Sequence, residues 1–369
     1  MEKLTWILKN FINEKLYAPF SVEFDSDYYT DLSQKYKLLI ESAIKAGADT
    51  DSLRILNKYT DKIKEAIRDY YKGNVSSSHQ RIKNLVKNSL DGDIADSMLF
   101  ESKAFPGSCD SEIQFFRARG STEGKEYKAI EMLHLPKNLR GKTGNYRFSI
   151  PGVPSLYLGN TSYSCWLELD RPAERDFNVS PVVLDGEQRI YNLAVMMRNP
   201  SYLNECEKEK VHCWLKLICF MIATSYVVEE KDRIFKSEYI ISQSIMLACK
   251  DLGLDGIAYF SKRVEDEIFA YPAINLALFA EYKNKKTYSN ICNHLKIDDS
   301  FNYALFNQFL PCERDSEYTL RIDKVGISTP IGRYSRQVPY KNTLFHEFDK
   351  YMFYKWSNKS DLSWGHCVR

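Results

Sequence analysis

The chain has 369 residues, 44% of them hydrophobic and 27% charged, which excludes extended disorder and fits one large domain or two of ordinary size. Its 51 basic and 49 acidic side chains leave a formal net charge of +2, without the basic excess of a domain that lives on nucleic-acid backbones.

Residues 1–107 read as helices. Tyr36, Leu39, Ile40, Ala43 and Ile44 recur at helical spacing, as do Ile63, Ile67 and Tyr71, and Gly47 and Gly73 stand where helices stop. Asn74–His79 reads as a loop capping a helix over about Gln80–Ser89. After Gly107 the texture changes. Phe115–Arg119, Tyr146–Ile150 and Ser155–Leu158 are short β-prone runs separated by Gly, Pro and Asn. Asn160-Thr161-Ser162 opens a helix carrying Cys165, Trp166 and Glu168, with Asn160 or Thr161 as its cap. Apolar helices are predicted over Glu209–Val227 and Ser237–Lys250, and strands over Gly256–Ser261 and Ala273–Phe279. Helices followed by a β-rich middle with inserted helices make the fold class α+β rather than a doubly wound sheet. The expected division is an α-helical region, residues 1–107, and a second domain, residues 108–369.

Familiar signatures fail. Arg140–Thr143 contains Gly-Lys-Thr, but the glycine that a phosphate-binding loop needs five residues earlier is Pro136, and no predicted strand precedes it. GxGxxG, GxSxG and HExxH are all absent. The nine cysteines are odd in number and form no CxxC pair, which fits neither a disulfide framework nor a zinc ribbon. Cys206, His212, Cys213 and Cys219 crowd one predicted helix. A single helix rarely converges four zinc ligands, so they read as buried structural residues and no metal site is expected. The opening Met-Glu-Lys-Leu-Thr-Trp leads into polar residues rather than a signal-type apolar core, and no stretch approaches the ~18 apolar residues of a membrane span. A cytoplasmic location, away from membranes, is the expectation.

What remains is a run from Phe115 to Glu168: Phe-Phe-Arg-Ala-Arg (115–119), Met-Leu-His-Leu-Pro (132–136), Tyr-Arg-Phe-Ser-Ile-Pro-Gly (146–152), Ser-Leu-Tyr-Leu-Gly (155–159) and Ser-Cys-Trp-Leu-Glu-Leu (164–169). An arginine inside an apolar strand is expensive without an anionic partner, and Arg117 and Arg147 both have such neighbours. Glu168, set among Cys, Trp and Leu, is equally conspicuous.

This order of arginine, Arg-x-Ser turn, tyrosine, and glutamate eleven residues after the tyrosine resembles the RES family, named for its Arg, Glu and Ser. The resemblance runs from Glu112 to Phe279. It implies an ADP-ribosyltransferase-like fold for the second domain and an enzyme that degrades NAD⁺, commonly a bacterial toxin or defence effector. On this resemblance the family arginine is Arg117, with Arg119 beside it, the turn arginine Arg147, the tyrosine Tyr157 and the acid Glu168. Ser242 is the assigned serine, with Ser261 in reserve, and His134 resembles a family position but reads as structural. NAD⁺ enters as substrate, and no cofactor is implied.

The residue types suit the reaction. Nicotinamide is already a cationic leaving group, so the difficulty is the oxocarbenium-like ribose it leaves behind. Glu168 can bond the ribose 2′-hydroxyl and stabilise that charge, while Arg117, Arg119 and Arg147 offer forks for the pyrophosphate. The Tyr157 ring can stack on nicotinamide, and Ser242 can orient the ribose or Glu168. Water, inorganic phosphate or a macromolecule remains open as acceptor. ADP-ribosyl transfer to a macromolecule and a non-catalytic nucleotide- or partner-binding module are the alternative readings. An enzyme that destroys NAD⁺ harms its own cell, so restraint is expected, from an antitoxin or regulatory protein on the N-terminal helices or from homo-oligomer assembly.

Overall fold

A computed structural model describes residues 14–22, 26–90, 99–100, 115–122, 124–194, 208–230, 232–263, 273–282, 286–309, 340 and 343–357. In chain order its helices are α1 (Tyr28–Ala46), α2 (Thr50–Tyr71), α3 (Val75–Ser89), α4 (Ala129–Met132), α5 (Ser162–Glu168), α6 (Lys208–Thr224), α7 (Ile240–Asp251), α8 (Tyr303–Phe309) and α9 (Leu344–Ser357). The strands are β1 (Leu99–Phe100), β2 (Phe115–Gly120), β3 (Ser155–Gly159), β4 (Phe177–Leu184), β5 (Ile190–Asn192), β6 (Gly256–Phe260), β7 (Ile274–Phe279), β8 (Leu295–Ile297) and β9 (Phe301–Asn302). The fold class is α+β. The expected boundary at residue 107 lies outside the described residues. Contacts group the chain into two compact units that are not contiguous in sequence: residues 1–100, 144–150 and 189–262 form one, and residues 101–143, 151–188 and 263–369 the other.

In the first unit α1, α2, α3, α6 and α7 pack together, and β5 pairs antiparallel with β1 and parallel with β6. The Asp27 and Asp49 carboxylates cap α1 and α2 by accepting main-chain N–H bonds from Thr30 and from Asp51 and Ser52, and Gly47, at φ 87°, ends α1 in the left-handed conformation. Val211, Trp214, Leu215, Ile218, Phe220 and Ile222 are buried around α6, so this helix is enclosed by its neighbours. It ends at Thr224 rather than the expected Val227 because Tyr226 bridges to Phe20. The third helix begins at Val75, not Gln80, so Ser76–Ser78 form its first turn instead of a loop. Tyr146–Ile150 is not a strand. It is a turn closed by a Tyr146–Ser149 bridge, and Gln243 Nε2 donates to the carbonyls of Tyr146 (3.0 Å) and Ser149 (3.2 Å), taking acceptors that a ladder would use.

The second unit is built on a wholly antiparallel sheet in the order β7-β3-β2-β4-β8, with β9 also on β4. One face is covered by an aromatic core in which Phe116 and Phe177 meet Trp166 of α5, Tyr303 and Phe306 of α8, and Phe345 and Phe348 of α9. β4, which the sequence reading did not pick out, is buried along its whole length. Among the described residues, no helix is long and apolar enough to cross a membrane.

Candidate active site

Arg117, Arg119, His134, Tyr157 and Glu168 all belong to the second unit, and Arg147, Ser242 and Ser261 to the first. β2 pairs along its whole length with β4, placing Arg117 opposite Ser180 and Arg119 opposite Asn178. Its ladder with β3 has the single register pair Phe116–Gly159. Past that pair the ladder does not continue, so main-chain groups there take other partners. The Arg117 side chain supplies one: Nη1 donates to the Tyr157 carbonyl at 3.0 Å and Nε to that of Met132 at 3.3 Å. The register starts Arg117 and Tyr157 from opposite faces of the sheet, so Arg117 meets the main chain of Tyr157. Arg119 lies over the Tyr127 ring, 5.6 Å from its centroid.

α5 follows β3 directly. Thr161 is its cap, its hydroxyl accepting from Ser164 N at 3.0 Å, and Ser162 N donates to the buried Asp349 carboxylate of α9 at 3.2 Å. The helix sits over Gly159, where a Cβ would lie 2.9 Å from Cys165 Sγ. Glu168 is the last helical residue and is exposed, whereas Ser164 to Leu167 are buried. The chain then turns through two consecutive non-glycine residues in the left-handed region, Asp170 (φ 68°) and Arg171 (φ 59°), a strained reversal of the kind found at functional sites. Glu168 Oε1 accepts from Asn275 Nδ2 of β7 at 2.5 Å. The charges of Arg117 and Glu168 both act on the Cys165 thiol, placing the two within electrostatic reach of one point.

Asn275 was missed in the sequence reading, although it is the one polar residue in Ile-Asn-Leu-Ala-Leu-Phe. Ser180 was missed too. It is fully buried, and its hydroxyl has no hydrogen-bond partner among the described residues.

In the first unit Arg147 donates to the carbonyls of Thr224 and, at 2.7 Å, Tyr226, just where α6 ends, and lies over the Tyr239 ring at 5.4 Å. A cation at a helix C-terminus is a favourable placement. Ser242 is fully buried in α7, its hydroxyl without a partner among the described residues, and Ser261 is buried just past β6. Cys213 and Cys219 are buried and free, and Cys206 lies outside the described residues. Asp185, Glu187 and His294 gather ligand-type atoms within 4.8 Å of one another near the β4–β8 pairing, where His294 Nδ1 pairs with Asp185 Oδ2 at 2.8 Å.

No protein-family model matches the sequence. The chain is 28% identical over 232 residues to a Bacillus subtilis (strain 168) protein named "Putative toxin YopC", an alignment covering 58% of this chain and 51% of that one. It therefore spans about half the length of this curated relative. Among solved structures, that of the M. tuberculosis MbcT–MbcA toxin–antitoxin complex aligns with 61% of this chain and 95% of the matched one, at 14% identity and a TM-score of 0.30, too weak a likeness to carry an argument.

Proposed function

We propose that this protein is a toxin that consumes NAD⁺ by breaking the bond between nicotinamide and ribose, with Glu168 and Arg117 at the centre of its site. The observation that carries this reading is that Arg117 of β2 bonds the Tyr157 carbonyl of β3, the strand that leads directly into the helix ended by the exposed Glu168. Similarity to a protein named as a toxin supports the class.

Glu168 bonds the ribose 2′-hydroxyl and stabilises the cationic sugar as nicotinamide departs, so no proton donor is needed. Arg117 orients the pyrophosphate through its guanidinium fork, with Arg119, two residues along the same strand, as a further fork. Tyr157 stacks on the nicotinamide. The acceptor is water or inorganic phosphate.

Purified protein incubated with NAD⁺ alone is expected to release free nicotinamide. Acceleration by added phosphate identifies phosphorolysis, and a requirement for an added macromolecule points instead to ADP-ribosyl transfer. Glu168→Ala and Arg117→Ala are each expected to lower kcat/KM by a factor of about 100 or more. Parent-like turnover in both variants removes this site from consideration.

A further inference from the structure

Asparagine is disfavoured in strands, and a buried amide is costly unless it is hydrogen-bonded. Asn275 is 2% exposed in β7, where every other residue is apolar. A valine or leucine there would pack without that cost, so the amide has a use beyond packing. Its Nδ2 meets Glu168 Oε1 at 2.5 Å.

Both ends of this contact are anchored through one residue. The Asn160 main chain donates to Ile274 O at 3.0 Å, and its side-chain Oδ1 accepts from Ile274 N at 3.1 Å and from Ser164 Oγ at 3.0 Å. The start of α5 is therefore tied to the residue immediately before Asn275. One short, capped helix carries Glu168 from that anchor to the amide.

We propose that Asn275 is the positioning residue of Glu168, its amide holding the carboxylate in the orientation in which it meets the ribose of the bound dinucleotide. This rests on the reading of Glu168 as the group that stabilises the ribosyl cation. A neutral donor suits the task. It restricts rotation of the carboxylate, so the reactive orientation is already set when the bond breaks, and it leaves the negative charge intact. A lysine or arginine in its place would neutralise the charge on which that stabilisation depends.

The test compares parent, Asn275→Ala, Asn275→Asp and Glu168→Ala as full-length protein, with folding followed by circular dichroism and NAD⁺ turnover measured across pH. Asn275→Ala is expected to lower kcat about tenfold or more, with KM for NAD⁺ changed less than about twofold. Asn275→Asp keeps the shape but sets a second carboxylate against Glu168, so the acidic limb of the rate profile moves about one pH unit or more upward and activity recovers as pH rises. Should the alanine variant fail to fold, the aspartate variant carries the test. A profile for Asn275→Asp that overlays the parent's, or a loss in Asn275→Ala confined to KM, overturns the proposal. Full turnover in Glu168→Ala overturns the reading of the site and this proposal with it. An inactive Glu168→Ala beside an unshifted Asn275→Asp overturns only the role of Asn275.

Discussion

His134 is 3% exposed, and both ring nitrogens have partners. Nδ1 donates to the Leu135 carbonyl at 2.8 Å, and Nε2 accepts from the Ser289 hydroxyl at 2.8 Å and its main-chain N–H at 3.2 Å. Only the neutral ring satisfies all three bonds. Burial lowers its pKa, and the nearby Arg117 charge pushes the same way. The unfolded chain is then the better proton binder, so this contribution to stability is complete above the ordinary histidine value of about 6.5 and drains away as pH falls below it. Thermal unfolding midpoints are expected to fall between pH 7 and 5, and Asn or Gln at position 134 should flatten that slope. An unchanged slope refutes the assignment. Cys165 is the complementary case: burial pushes its thiol up to about 12, outweighing Arg117. Iodoacetamide at pH 8 is expected to spare Cys165 in the native protein and modify it once unfolded, which peptide mass spectrometry would read directly. Glu168 was legible in the sequence because a lone charge among Cys, Trp and Leu is a local pattern. Asn275 was not, because its meaning depends on a partner 107 positions away in the chain.

At the scale of elements, the approach of α5 to β3 depends on a missing side chain. With Cys165 Sγ at 2.9 Å and Cys165 N at 3.3 Å from the place of a Cβ, Gly159→Ala forces helix and strand apart. We expect it to cost about 1–3 kcal/mol by chemical denaturation and to lower NAD⁺ turnover more than that loss of stability explains, because Glu168 rides on the displaced helix. Parent-like stability and turnover would show that the close approach is immaterial. Elements with local signals were readable: the capped start of α5, the glycine stop of α1 and the apolar runs of β3, β6 and β7. β4 has a weaker signal, since Asn178, Ser180 and Pro181 interrupt its apolar pattern and its burial comes from sheet neighbours distant in sequence. The Tyr146–Ile150 turn has strand composition, but the side chain of Gln243 decides its hydrogen bonding. A change of texture near residue 107 was visible as well, whereas the grouping of contacts is set by pairings such as α3 with α7 that span about 160 residues.

For the whole molecule, this grouping has an experimental consequence. α2 and α3 pack against α6 and α7, all within the first unit. A fragment of residues 1–107 is therefore expected to lack a cooperative thermal transition, and residues 108–369 to be poorly soluble with the apolar α6 uncovered. A sharply melting 1–107 fragment would show that the N-terminal helices stand alone. The same interleaving sets a schedule during synthesis. The first unit lacks its last segment until Lys262 has been translated, and the second has no β7 to pair with β3 until later still. At the ~5–20 residues per second of a ribosome, on the order of ten seconds separate Phe100 from Lys262. The nascent chain thus carries Arg117 and Glu168 for several seconds before Asn275 exists to meet them, so the Glu168–Asn275 contact is among the late ones to form.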